Sequence, residues 1–290
     1  MTLLSGAARL AGRVGVTFEA ATVDHHLRPE SGTEVELVRS FAASLGVPHH
    51  VLEAPITEST GLEAAARAAR YAALESCRRE RKLDLVATAH TASDQAETLL
   101  MRLARGTSLA GAAAIHETRA DAVIRPLLFA TRRQIEAYVS ARKITVARDP
   151  MNADPAFLRV RIRQEVLPLL ESVAGPGVER ALARFASFAS EDEAWLRAEA
   201  ERALALVRWA EDDTLEAEAL VALGAPIARR VLALWLGGKG IPLDGDLLED
   251  ALRAARERAT ATLPGDRVLA CSNGRVTLRP APPRLHATSS

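Results

Sequence analysis

The strongest constraint on the fold is an alternation of segment types that runs up to Ala89. Val16 to Val23 is rich in β-forming residues and leads into Asp24. Ser31 to Gly46 then sets Val35, Val38, Phe41, Ala42 and Leu45 at helical spacing and closes on a glycine. A short run, His49 to Leu52, precedes an Ala-rich stretch from Leu62 to Lys82 that predicts a helix, and Leu85 to Ala89 predicts a buried strand. Strand, helix, strand, helix, strand is the pattern of a parallel sheet, so the expected class is α/β.

A parallel sheet of this kind binds ligands beyond the carboxyl ends of its strands. Two polar clusters stand at those ends: Asp24-His25-His26-Leu27-Arg28-Pro29 after the first strand, and His90 through Thr98 after the third. In the second cluster Asp94 falls in the first turn of an expected helix, with Ser93 as its cap. Such a carboxylate opposes the helix dipole and needs no functional role. His90, Gln95 and Glu97 in the same turn are more polar chemistry than a cap requires, so cap and site both stay open. Adjacent His25 and His26 on an extended chain point to opposite sides, which disfavours one shared metal ion and leaves a base contact or a plain turn.

Beyond Pro168 the composition shifts to long Ala, Leu and Arg helices, entered through Ala174-Gly175-Pro176-Gly177. Helices are expected over Val178 to Val207, Ala225 to Leu236 and Asp246 to Ala259. Arg267 to Cys271 and Arg275 to Leu278 flank Asn273-Gly274, a strong hairpin signal. The expected division is residues 1–170 for the α/β domain and 171–290 for a mainly helical domain with a short C-terminal β-hairpin.

Charge narrows the partners. The formal net charge is zero, which removes any bulk argument for nucleic acid. Its distribution is uneven: Arg119 to Arg163 holds ten basic against four acidic side chains, and Glu191 to Glu218 holds three basic against ten acidic. A basic stretch of that strength offsets several phosphates, though a solvated helix face accounts for it equally well. Within it, Arg159 and Arg163 share one face of a helix while Arg161 points nearly opposite, so at least one arginine should turn inward toward an anion. Arg67, Arg70 and Tyr71 lie together on one face of the Ala-rich helix. Two cysteines, Cys77 and Cys271, are too few for a disulfide framework. No run is long and apolar enough for a membrane span and no secretory leader is evident. The expectation is a cytoplasmic protein without membrane contact.

These blocks resemble a known family. Val23 to Arg28, Gly61 to Tyr71, Ala89 to Thr98, Arg105-Gly106, Arg125-Pro126-Leu127-Leu128, Asp149-Pro150-Met151-Asn152 and Phe157 to Arg163 with Leu167-Pro168 are similar, in order and spacing, to the tRNA(Ile)-lysidine synthases of the PP-loop ATP pyrophosphatases. The resemblance implies a Rossmann-like PP-loop domain followed by a helical tRNA-binding or accessory domain. It implies a ligase that uses ATP and Mg²⁺ to adenylate the C2 carbonyl oxygen of the wobble cytidine in the CAU anticodon of tRNA(Ile), after which the ε-amine of free lysine attacks C2 and displaces AMP to give lysidine. It assigns Asp94, Arg70 and His90 as catalytic residues. Lysine falls to Asp94 with Arg161 and Arg163, ATP to Asp24, His25, His90, Glu97 and Thr98, and tRNA to Arg132, Arg133 and Arg159. No metal ligands are assigned, and a homodimer is among the implied assemblies.

The departures are informative. The family's Ser-Gly-Gly-x-Asp-Ser phosphate loop does not occur in the 290 residues; its place would be just before Met1, with Met1 to Ala8 as the following helix. The expectation is a natural start upstream, with the first strand and phosphate cradle missing from this chain and two neighbouring strand edges left open, at a cost in stability. A non-catalytic tRNA-binding remnant is the alternative. Ser93-Asp94 replaces a pair of aspartates, and Val160 replaces an asparagine between the arginines, which weakens the case for a metal. Thiolation, the chemistry of related PP-loop enzymes, is disfavoured because Cys77 falls in a helix and Cys271 in the distal hairpin.

Overall fold

The computed structural model describes residues 1–24, 31–55, 62–147, 154–241 and 244–281. The chain divides into two compact units, Met1–Arg105 with Ala113–Ser187, and Gly106–Ala112 with Phe188–Ser290.

The first unit is α/β, as the alternation requires. Helix α1 (Thr2–Val14) ends at Gly15 in the left-handed region, φ 67°, where the missing Cβ removes the steric penalty. Strand β1 (Ala20–Asp24) pairs in parallel with β2 (His49–Glu53) through α2 (Ser31–Ser44). The strand thus starts at Ala20 and not Val16, because the backbone N–H of Val16 still turns back to the Ala11 carbonyl at the end of α1. Helix α3 (Leu62–Glu80) leads to β3 (Val86–Ala87), which pairs in parallel with β4 (Val123–Ile124) across α4 (Ala92–Leu103). Each pair is a separate two-stranded sheet. Among the described residues β1 and β3 each have one strand neighbour, leaving two open edges.

The unit continues with α6 (Arg132–Ala141), α7 (Leu158–Arg161), a π-helical turn (Ile162–Val166) and α8 (Leu167–Ala174). The intervening α5 (Leu109–Ala112) belongs to the second unit. In the π turn the Leu167 N–H reaches the Ile162 carbonyl five residues back. Ile162 and Leu167 are both buried against Ala96 of α4, beside Leu100 and Leu182.

Helix α9 (Val178–Val207) occupies the predicted range. The second unit adds α10 (Ala217–Ala222), α11 (Ala225–Gly237) and α12 (Gly245–Glu257). Its core gathers Leu215, Leu220, Leu232, Leu236, Leu252 and Leu269, all without solvent exposure. The expected hairpin is larger than a hairpin. Strands β5 (Arg208–Trp209), β6 (Thr214–Glu216), β7 (Thr260–Leu263), β8 (Arg267–Ser272) and β9 (Arg275–Pro280) form one antiparallel sheet in the order β5-β6-β9-β8-β7. Asn273 and Gly274, at φ 52° and 73°, make the tight turn between β8 and β9. The three additional strands hold only two to four residues each, too few for a sequence period to register.

Candidate active site

The site is built on the amino end of α4. Thr91 caps the helix: its hydroxyl oxygen accepts the Asp94 N–H, while Asp94 Oδ2 accepts the Thr91 N–H at 2.8 Å and its hydroxyl at 2.7 Å. Ser93, the expected cap, faces elsewhere. Its hydroxyl donates to Glu179 Oε2 at 2.9 Å and accepts the Arg132 N–H at 2.8 Å, tying the starts of α4, α6 and α9 together. Asp94 is therefore a capping residue that still has a second oxygen to use.

That oxygen meets Arg159. The Arg159 Nη2 donates to Asp94 Oδ1 at 2.8 Å and its Nε to Glu97 Oε2 at 2.7 Å. Arg163 completes the group with Nε to Glu97 Oε1 at 2.6 Å and Nη2 to Glu97 Oε2 at 2.9 Å, a forked pair. The Glu97 side chain is 0% exposed, whereas those of Asp94, Arg159 and Arg163 keep some access to solvent. The inward face predicted for this helix thus carries Arg159 and Arg163. Arg161 points away, half-exposed, and pairs with Glu165 of its own turn. The structure brings Asp94, Glu97, Arg159 and Arg163 into one network and leaves Arg161 outside it.

A cationic wall adjoins this network. Arg125, only 2% exposed, donates to the His116 carbonyl and, at 3.4 Å, to the Tyr71 hydroxyl; its Nε has no partner. The Tyr71 ring lies between the guanidinium groups of Arg67, at 5.1 Å, and Arg119, at 4.8 Å. Burial pushes the Tyr71 phenol up, but Arg125, Arg67 and Arg119 outweigh it and hold the group below its ordinary value. Among the described residues no carboxylate pairs with Arg125. A buried guanidinium with an orphaned N–H and no counter-charge fits an anionic ligand such as a polyphosphate.

His90 stands at the edge of both groups, its Nδ1 3.0 Å from the Thr88 hydroxyl. Burial pushes its pKa down to about 4; Asp94 pulls it up, and Arg125, Arg67 and Arg159 push it down further. The imidazole is therefore neutral at pH 7 and serves there as a hydrogen-bonding group. The unfolded chain binds the proton near the ordinary 6.5 and the folded chain only near 4. The stability contributed by neutral His90 is complete above about pH 6.5 and is lost as pH falls toward 4. Thermal melts across that window should show this decline, and His90→Gln should flatten it. An unchanged slope in the variant would assign the acid sensitivity to other groups.

The remaining predicted residues scatter. Arg70 is exposed on α3, and Asp24 closes β1. The Thr98 hydroxyl is taken by the Asp94 carbonyl one turn back, at 2.7 Å. Arg132 and Arg133 are exposed in the first turn of α6. His25 lies outside the described residues. Sequence reasoning missed Arg125 as a wall of the site and Arg159 as a direct partner of Asp94. The four-residue spacing of Arg159 and Arg163 held the second signal; the first stood in the Arg125-Pro126-Leu127-Leu128 block of the family pattern with no role attached to it. Among the described residues no group of three His, Cys, Asp or Glu side chains is placed to hold a metal ion. No described helix is long and apolar enough to cross a membrane.

Comparison with known proteins decides the family. The model of the PP-loop domain matches residues 1–170. A tRNA(Ile)-lysidine synthase of Rhodopseudomonas palustris is 38% identical over 95% of this chain and 85% of its own length. One from Methylobacterium nodulans is 40% identical over 97% of this chain and 87% of its own. This chain belongs to the tRNA(Ile)-lysidine synthase family. Its PP-loop fold is also seen in the U34-tRNA thiolase NcsA from Methanococcus maripaludis, solved with its [4Fe-4S] cluster, at a TM-score of 0.54 and 16% identity over 66% of this chain and 69% of that one. The shared feature there is the fold. The family's α/β domain is the part of this chain that carries the Asp94, Glu97, Arg159 and Arg163 network.

Proposed function

We propose that this chain serves the ATP-dependent ligation of free lysine to C2 of the wobble cytidine of tRNA(Ile) with the CAU anticodon, in a polypeptide that also carries a phosphate loop. The observation that supports it most directly is the juxtaposition of Asp94 with the Arg159, Glu97 and Arg163 group. A free amino acid presents an ammonium and a carboxylate close together, and a carboxylate beside forked guanidinium groups is the complementary pair. In this reading Asp94 holds a lysine amino group and Arg163 its carboxylate, with Arg161 a poorer candidate because it faces outward. Arg159 then has a positioning role in place of the tRNA contact implied by resemblance: it orients Asp94 and Glu97.

ATP supplies the activation that turns the C2 oxygen into a leaving group. Arg125, Arg67 and the neutral His90 make the wall that accepts its negative charge, with Arg70, Asp24, His25 and Thr98 as further candidates from the family pattern. Preorganised cations in a partly dry site lower the barrier for charge developing on phosphate, with little covalent chemistry from the protein. Mg²⁺ remains an expectation from the family. In the same reading residues 1–170 carry the chemistry, and 171–290 help to grip tRNA, together with Arg132 and Arg133; a homodimer is compatible with this division.

The test is transfer of labelled lysine to a tRNA(Ile) transcript, run with the 290-residue chain and with a version extended ahead of Met1 by the family's Ser-Gly-Gly-x-Asp-Ser loop. Lysine incorporation by the extended version is the expected result. Failure of both to incorporate lysine while both bind the transcript favours the second reading, a tRNA-binding protein without the ligase activity.

A further inference from the structure

Phe129 is the most exposed aromatic side chain among the described residues, at 78%. It does not hang from a loose loop. The Leu128 N–H bonds to the Arg125 carbonyl at 3.2 Å, the Ala130 N–H to the Leu127 carbonyl at 2.9 Å, and the Ala130 carbonyl accepts the Ala92 N–H at 2.8 Å. One residue after Ala130, Thr131 caps α6, and the Arg132 N–H is held by Ser93. The backbone just after the ring is thus bolted to the first turn of α4, two residues from Asp94, while the residue before it closes a turn onto Arg125.

Two exposed arginines follow this ring in the chain. Arg132 and Arg133 are exposed in the first turn of α6, which has no acidic residue, and neither has a carboxylate partner among the described residues. Positive side chains at the positive end of a helix dipole are placed against the field, an arrangement that an external anion relieves. An exposed apolar ring on a hydrogen-bonded turn, followed at the start of the next helix by two unpaired cations, offers the chemistry of a single-stranded nucleic-acid platform, in which a base stacks on the ring and its phosphates meet the arginines.

We infer that Phe129 stacks against an unpaired base of the RNA substrate next to the reacting nucleotide, while Arg132 and Arg133 hold the adjoining phosphates. This rests on the reading of the substrate as a tRNA and adds the surface that receives its open loop. The rigid loop means that little order is lost when the base arrives.

The test measures the affinity of the 290-residue chain for a tRNA(Ile) CAU transcript over a salt series. Phe129→Ala should weaken binding by roughly 5- to 100-fold, as loss of one stacked base does, without changing the slope of log K against log salt. Arg132→Ala and Arg133→Ala should each reduce that slope by about one. Phe129→Trp should bind like the parent, and its added emission should be quenched by RNA. Parental affinity in Phe129→Ala overturns the inference and leaves the tRNA reading standing; no binding by the parent overturns both. A change in oligomeric mass in Phe129→Ala with unchanged RNA affinity overturns it in favour of a protein contact.

Discussion

Replacing Glu97 by Gln is expected to destabilise the first unit by about 3–5 kcal/mol, the cost of leaving buried charge without its partner. The Glu97 side chain is fully enclosed and receives three hydrogen bonds, one from Arg159 and two from Arg163. An amide of the same shape keeps the volume but removes the charge and turns one acceptor into a donor aimed at a guanidinium. For a unit of this size the loss corresponds to a fall in melting temperature on the order of 10 °C. A thermal melt followed by circular dichroism reads it directly. A melting temperature within about 2 °C of the parent would mean that water already compensates the arginines and that the network is not the closed unit described above.

Asp94→Asn should behave in the opposite way, with a small effect on the melt and a large one on lysine transfer. The substituted side chain still offers an oxygen to the Thr91 N–H, so the cap at the start of α4 survives in part. What disappears is the negative charge facing Arg159 and, in the proposed reaction, a lysine ammonium. Removing one partner of such a charge-assisted pair costs about 2–5 kcal/mol, so kcat/KM for lysine should fall on the order of 10² to 10³-fold. Affinity for tRNA should be unchanged. Equal kcat/KM in parent and variant, measured in the extended polypeptide, would remove Asp94 from substrate binding and leave it a cap alone.

Much of the fold was legible because long periodic segments speak for themselves. Helix α9 runs from Val178 to Val207 with apolar residues at helical spacing throughout, and the Asn273-Gly274 pair fixes its turn by needing positive φ at two successive positions. The inward and outward division of Arg159, Arg161 and Arg163 follows from 100° per residue. The failures are non-local. Thr91 and Ser93 are equally good caps by type, and the choice falls to Thr91 because Ser93 is drawn to Glu179, far along the chain. Strands β5, β6 and β7 exist through their pairing within the sheet around β8 and β9, not through a pattern of their own. Arg125 reads as one more member of a basic stretch until folding buries it against Tyr71 and the carbonyl of His116.

The π turn between α7 and α8 has a consequence for how this segment tolerates change. In a regular α-helix Ile162 and Leu167 would point about 140° apart and could not rest on the same neighbour. The wider coil brings both onto Ala96 while Arg159 and Arg163, upstream and within it, still reach Glu97. The segment works as a phase adjuster, absorbing one surplus residue so that a polar grip and an apolar footing face the same way. Deleting any single residue from Gln164 to Val166 would give a regular helix that sets Leu167 four residues after Ile162, about 40° round the axis, and so keeps it on its footing. Here the surplus residue is the one the segment can lose, whereas the apolar side chains of Ile162 and Leu167 on either side of it are not.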